Sequence, residues 1–417
     1  MAVLGQTHPD RSMALAAPSR ALMTARGLLM AMAVALMYSP PVVVALQVAL
    51  LVTFLASSEL RARFAAVCRQ PMVIGMFAFY LMLVVAATYS IAPLPDAARM
   101  LNGWRKLLLL PAAAAVFDDP GAKLRIALLL VMATVIGALL SYGSLLSGIP
   151  LQSSDPIPGI VARNHATQGM LFAVGAFVAA ALAQFGPFER RGRVLLTAAA
   201  VLLTTNVAFT THGRSGYLVL MACALALAVF ALRRPSARTR WVAVVMLAAV
   251  VAVLLGAPKA QQRVHQAVTE INTYSQLPDR TEVGIRVHFW KNTLEMIGQR
   301  PLLGVGTDGF LTAYRHQVAD KTGVAATETS DPHNQFLKIA AEQGLIGLAV
   351  FLAFLLATAV LQRPDPVYRL LGLGVLFAWC ASSMATSHFS TFAEGTFIYL
   401  WLGAMLSDPG SVRRRKT

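Results

Sequence analysis

The sequence predicts an all-α polytopic membrane protein, and three observations carry that prediction. The 417-residue chain is 57% hydrophobic and only 13% charged, against about 25% charged residues in an average soluble domain. Apolar runs recur from one end of the chain to the other. Lys and Arg concentrate in alternate connections between those runs. The mean hydropathy of +0.63 points the same way. A soluble enzyme, a disordered chain and a coiled coil are excluded. Three cysteines, Cys68, Cys223 and Cys380, fall in a loop and two apolar segments and imply no disulfide framework.

Taken in order, the apolar runs predict about twelve spans, near 22–38, 42–57, 71–91, 104–117, 124–147, 164–184, 194–211, 216–232, 241–257, 343–360, 368–387 and 392–407. The first has no clear small-residue cleavage site after it and reads as an uncleaved anchor. Several are shorter than the ~20 residues of a straight span, the fourth most clearly. Three regions follow: a bundle of spans one to nine (1–257), a large extramembrane loop (258–342), and spans ten to twelve with a basic tail (343–417).

Of the 35 Lys and Arg, 21 fall in one set of alternate loops and the two tails, including Arg11, Arg26, Arg61, Lys123, Arg190, Arg193, Arg238 and Arg413 to Lys416. The other set holds 14, nine of them in the long loop. The positive-inside rule then makes both termini cytoplasmic and the long loop periplasmic or extracellular. The net charge of +16 is mostly this topology signal, so nucleic acid is not needed as a partner. The Arg413 to Lys416 run reads as a tail beside anionic lipid.

The long loop is too long for a passive connection. Val283, Val287, Trp290, Leu294 and Ile297 form an apolar stripe at helical spacing. They predict an amphipathic helix at the membrane surface or against the bundle. In Ser330 to Leu337, Asp331 reads as an N-cap and Pro332 as the first helical residue, which puts His333 in the first turn. A helix start favours a neutral imidazole able to take a proton, and it attracts phosphate.

Topology places Arg214, in the turn 211–216, and Arg286, on the amphipathic helix, on the same side as His333. A guanidinium can bind two phosphate oxygens at once. The alternative for each is snorkelling or a loop ion pair. Arg163, Asn164, His165 and Gln168 open span six on that side, and His165 and Gln168 share a helix face. Polar end-capping and ligand contact both fit them. His388 and Glu394 lie at the outer turn between the last two spans, where they could line a pocket. No metal-ligand spacing and no phosphate-binding nucleotide loop occurs, so neither metal nor ATP is implied. Ser215 lies in no nucleophile-elbow pattern.

These residues carry a family resemblance. Arg214-Ser215-Gly216, then Arg286 and Trp290, then Arg300 to Gly306, then Pro332-His333-Asn334-Gln335-Phe336-Leu337, then Glu342 to Gly347 resemble the O-antigen ligase/polymerase superfamily. Size and span layout are most similar to its O-antigen ligases. The resemblance implies an inner-membrane glycosyltransferase of the GT-C class in a Gram-negative bacterium. It would move O-antigen from undecaprenyl diphosphate to lipid A-core on the periplasmic face, inverting the anomeric centre, with no metal, ATP or other cofactor. It makes His333, Arg214 and Arg286 the catalytic set. Arg214 and Arg286 would also bind substrate; the resemblance carries no role onto Arg163 and His165, which with Gln168 and Asn334 are substrate-contact candidates by their position. An O-antigen polymerase or a protein O-oligosaccharyltransferase would use the same donor and the same residues. A transporter of lipid-linked sugars is the rival of a different class, and the scarcity of ionisable residues inside the spans opposes it.

Overall fold

A computed structural model describes residues 18–408 apart from 212, 259–260, 263–264, 266–267, 269–281 and 363. The terminal basic residues Arg11 and Arg413 to Lys416, His212 and the Val283 side chain lie outside the described residues. The chain is an all-α multi-pass membrane protein, and no strand occurs among the described residues. Among the described residues, seven helices are long and apolar enough to cross a membrane, or eight if one bent pair counts as a span.

The first half runs α1 (Arg20–Ala35), α2 (Pro40–Ala56), α3 (Ser58–Val67), α4 (Pro71–Thr88), α5 (Leu94–Trp104), α6 (Leu109–Val116) and α7 (Pro120–Ser147). The second runs α8 (His165–Phe185), α9 (Arg190–Phe209), α10 (Arg214–Leu232), α11 (Ala237–Gly256), α12 (Glu282–Gln299), α13 (Phe310–Val318), α14 (Gln335–Val360), α15 (Pro366–Ser382) and α16 (Phe392–Leu406). An α-helix covers each expected span except the fourth. There a 3-10 turn, Arg105–Leu108, joins the short α6. Two connections also proved helical: α3 meets α2 at 100°, and α5 follows α4.

α8 is the most enclosed spanning helix and forms the middle of the bundle. Its contact with α10 is glycine to glycine. A Cβ on Gly216 would stand 2.8 Å from the Gly169 Cα, closer than packed atoms approach. The end of the bundle away from Arg214 is held by buried cations that cap helix C-termini. Lys123 Nζ donates to the carbonyls of Met405 and Ser407 at the end of α16. Arg26 Nε donates to Val116 O at the end of α6, and its guanidinium pairs with Asp118 and Asp119. Arg26 therefore sits inside α1 rather than in the N-terminal connection.

The tenth span begins earlier than expected, at Gln335, and it is broken at Gly344, where φ is 68° and ψ −175°. The break receives the loop 300–306. Val305 N donates to Ala341 O, Gly306 N to Glu342 O, and Leu345 N to Pro301 O. A Cβ on Gly344 would lie 2.1 Å from Leu302 O. The Arg300 to Gly306 and Glu342 to Gly347 motifs thus form one interlocked joint. Thr307 ties that joint to α4 through Ala86 O and Leu83 O.

The amphipathic helix exists, and Trp290 and Ile297 of the expected stripe pack partly buried on its inner cluster, but the fully buried face is a different one. Phe289, Asn292, Thr293 and Met296 are buried, whereas Leu294 is 56% exposed. Phe289 and Met296 pack on Phe310, Tyr314 and Val318 of α13 and on Ala341. Asn292 and Thr293 can share that face because their polar atoms are satisfied there. Asn292 Nδ2 donates to the Tyr314 hydroxyl, and Thr293 Oγ1 to Phe289 O. Apolar spacing alone misses a face that includes paired polar residues.

Candidate functional site

The local structure around His333 corrects the helix start read from the sequence. Asn334 is the N-cap, and its Oδ1 accepts from Phe336 N and Leu337 N at 3.0 and 3.1 Å. His333 precedes the cap and has φ of 55°. Asp331 Oδ1 accepts the His333 amide at 2.7 Å, so Asp331 closes a turn before the helix instead of capping it. Asp and Asn oxygens can each take such local N–H groups, and two capping candidates three residues apart cannot be ranked by spacing. The helix start therefore does not hold the His333 imidazole neutral as expected, since His333 lies before the cap and the first free amides are taken by Asn334.

His333 is instead directed at α12. Its ring stacks on Phe289 with centroids 6.1 Å apart and planes at 25°. Trp290 Nε1 donates to Pro332 O at 2.9 Å. Arg286 lies one turn before Phe289 on α12, close to the same side of the helix. Arg286 Nη1 donates to Ala385 O at 3.0 Å. Arg214 is the first residue of α10, after Gly213 as N-cap. The neighbouring Ser215 Oγ lies 3.2 Å from His388 Nε2.

One segment, residues 383–391 between α15 and α16, joins all of these. It supplies Ala385 O to Arg286 and His388 to the Arg214 turn. Ser387 Oγ donates to Asp331 Oδ1 at 2.8 Å, the same oxygen that holds the His333 amide. Gln335 N donates to Ser383 O, and Gln335 Oε1 accepts from Ser390 N. Lys106 Nζ anchors the segment from below by donating to the carbonyls of Ser390 and Thr391. Elements far apart in sequence are thus bonded to one short loop at one end of the bundle. Burial pushes the His388 imidazole below its ordinary pKa, against opposing charge from Glu394 and Asp331.

The remaining sequence candidates take different places. Gln168 is fully buried, with Oε1 accepting from Val161 N and Nε2 donating to Gly159 O. It fixes the loop 148–164 instead of facing a cavity. Asn334 is occupied as a helix cap. Arg163 lies over the Phe392 ring, 6.0 Å from its centroid. His165 Nδ1 is 2.7 Å from Asp155 Oδ2, and its side chain is 43% exposed. His165 also borders Gly213, whose Cβ would meet the His165 ring at 3.1 Å, so it adjoins the Arg214 turn. Glu394 accepts from Thr167 Oγ1 at 2.6 Å.

Sequence reasoning missed the loop 383–391 as the organiser. Only His388 in it was read as a possible pocket residue. Much of its contribution is backbone carbonyls, which leave no residue-type signal. Lys106 did leave one, as a lone ammonium in an apolar segment. Asp331 was read as a cap, and Ser215 only as a failed nucleophile. The arrangement offers guanidinium donors, an imidazole and hydroxyls around a polar loop, the equipment for an anionic ligand beside a proton acceptor. Among the described residues, no group of three His, Cys, Asp or Glu is placed to hold a metal ion.

Residues 198–352 match a family model described as O-Antigen ligase. That stretch contains Arg214, Arg286 and His333, while the loop 383–391 lies outside it. An uncharacterized protein of Haemophilus influenzae (strain ATCC 51907 / DSM 11121 / KW20 / Rd) is 30% identical over 108 residues, which is 25% of this chain. The match spans about a quarter of that relative's length, 27%.

Proposed function

We propose that this chain, which belongs to the O-antigen ligase/polymerase superfamily, is an inner-membrane O-antigen ligase working on the periplasmic face. The observation that carries the reading is the convergence of the Arg214, Arg286 and His333 segments on the loop 383–391. The donor is O-antigen on undecaprenyl diphosphate and the acceptor is lipid A-core. The diphosphate already activates the donor, so no ATP and no metal is required. Arg214 and Arg286 bind the diphosphate and neutralise the charge that grows as the anomeric C–O bond breaks. His165, beside the Arg214 turn, and Arg163, over the Phe392 ring, contact the substrate's edge. Gln168 and Asn334 support the site through the backbone.

In the transfer step the acceptor hydroxyl oxygen attacks the anomeric carbon from the face opposite the diphosphate. The C–O bond to the diphosphate breaks, its electron pair leaves with the phosphate oxygen, and the configuration inverts. His333 takes the hydroxyl proton, a contribution of about 10²–10⁴ in rate. Its stacking on Phe289 and its held amide fix the ring's direction.

The test is reconstitution of the purified chain with the lipid-linked donor and, in parallel, lipid A-core, a growing glycan or a protein as acceptor. The reading expects a glycan joined to lipid A-core, with no ion gradient and undiminished in EDTA. Product only on growing glycan or only on protein would assign the chain to polymerisation or protein glycosylation. Movement of the donor across the membrane with no covalent product would make it a transporter.

A further inference from the structure

The end of the bundle opposite Arg214 has a groove that the proposed reaction does not use. It runs along α9, meets the start of α11 at Arg238, and has a volume of about 940 Å³. Arg190, Arg193 and Arg238 line one end. Val194 and Val201 line its wall, and Thr205 lies at its far end. Among the described residues no acidic one lines it; the nearest in sequence is Glu189, the residue before α9.

The dimensions match one leaflet of a bilayer. Arg190 to Thr205 spans fifteen residues of α9, about 22 Å at the helical rise. Half of a bilayer including its headgroups is about 20–22 Å. The guanidinium groups then stand at headgroup depth and Thr205 near the midplane. The protein leaves the space beside α11 unfilled. Of the residues of α11 only Ala243 is buried. Val201 and Thr205 also line a second cavity of about 350 Å³ on the inner side of the crevice, walled by α8, α10 and α11. Apolar volume of this kind inside a bilayer is filled by acyl chain, because an empty cavity forfeits its dispersion contacts.

We propose that this groove is a binding site for an anionic diacyl phospholipid of the leaflet away from the candidate active site. The arginines hold the phosphate, and an acyl chain runs along α9 past Val201 toward the adjoining cavity that α11 borders. On the orientation proposed above this is the cytoplasmic leaflet. The lipid supports α11, which leads in sequence to α12 and Arg286.

The full chain is placed in nanodiscs of phosphatidylcholine containing phosphatidylglycerol, and the lipid retained on release is read by native mass spectrometry. A basic residue at the membrane surface strengthens anionic-lipid binding about fivefold, so three give on the order of a hundredfold. Wild type is expected to retain phosphatidylglycerol over phosphatidylcholine. The Arg190→Gln, Arg193→Gln, Arg238→Gln triple variant loses that retention by about this factor. Val201→Trp, which fills the groove and leaves the arginines in place, also loses it. Millimolar glycerol 3-phosphate does not displace the lipid. Equal retention of both lipids by wild type, unchanged retention in either variant, or displacement by glycerol 3-phosphate overturns the proposal. If the triple variant fails to fold, wild-type selectivity and Val201→Trp decide.

Discussion

Replacing Asp331 with Ala probes the link between the loop 383–391 and His333. Asp331 Oδ1 accepts two hydrogen bonds, from His333 N at 2.7 Å and Ser387 Oγ at 2.8 Å. A hydrogen bond to a charged group is worth about 1.5–3 kcal/mol. The carboxylate is 26% exposed, so the lower end applies to both, about 3 kcal/mol together. His333 at φ 55° carries an opposing backbone cost of order 1–3 kcal/mol that only its surroundings sustain. Losing about 3 kcal/mol lowers the population of the held conformation on the order of a hundredfold. The bundle itself stays folded, because none of these bonds is in its core. Two assays read the effect: hydrogen exchange at the amide of residue 333, and initial transfer rate at fixed protein. Both are expected to change on the order of a hundredfold, while Asp331→Asn, which keeps an acceptor oxygen, changes far less. Protection of residue 333 in Asp331→Ala within twofold of wild type would refute the argument about the turn. Lost protection with an unchanged rate would instead remove His333 from the chemistry.

Other consequences can be checked separately. Gly344→Ala puts a Cβ 2.1 Å from Leu302 O at a left-handed backbone. Strain plus one lost joint bond should cost about 3 kcal/mol or more, seen as a lower thermal midpoint in detergent. Gly216→Val forces α8 and α10 apart at a 2.8 Å contact and should destabilise by about 1–3 kcal/mol in the same assay. His388, held below its ordinary pKa by burial, binds fewer protons folded than unfolded just below about pH 6.5. Its contribution is fully present above that pH and is lost as pH falls toward the folded value. The midpoint of wild type should therefore drop on acidification through this window more than that of His388→Gln. Equal pH profiles would contradict it.

The bundle was legible because membrane helices must satisfy their own backbone, so apolar runs and helices coincide. The boundaries at α8, α10 and α16 were read to within two residues. The failures have physical reasons. Tertiary closure places the joint of 300–306 on Gly344 and extends the tenth span back to Gln335, and no hydropathy window registers a kink between two helical pieces. The start of α14 was misread because Asp331 and Asn334 are both competent caps. The face of α12 was only partly read, because Asn292 and Thr293 are buried with partners. At the candidate site, Arg214, Arg286 and His333 were visible as residue types on one side of the membrane. What joins them was visible only in His388, since Ala385 O and the carbonyls that Lys106 meets belong to the loop's backbone.

In the proposed reaction Arg214 and Arg286, carried by different helices, grip a single diphosphate. Equilibrium binding of undecaprenyl diphosphate and undecaprenyl monophosphate to the reconstituted chain tests it most directly. The account predicts tighter binding of the diphosphate, lost at least tenfold in both Arg214→Lys and Arg286→Lys, with the monophosphate little affected. Equal affinity for the two lipids, or diphosphate binding in either variant equal to wild type, would contradict it.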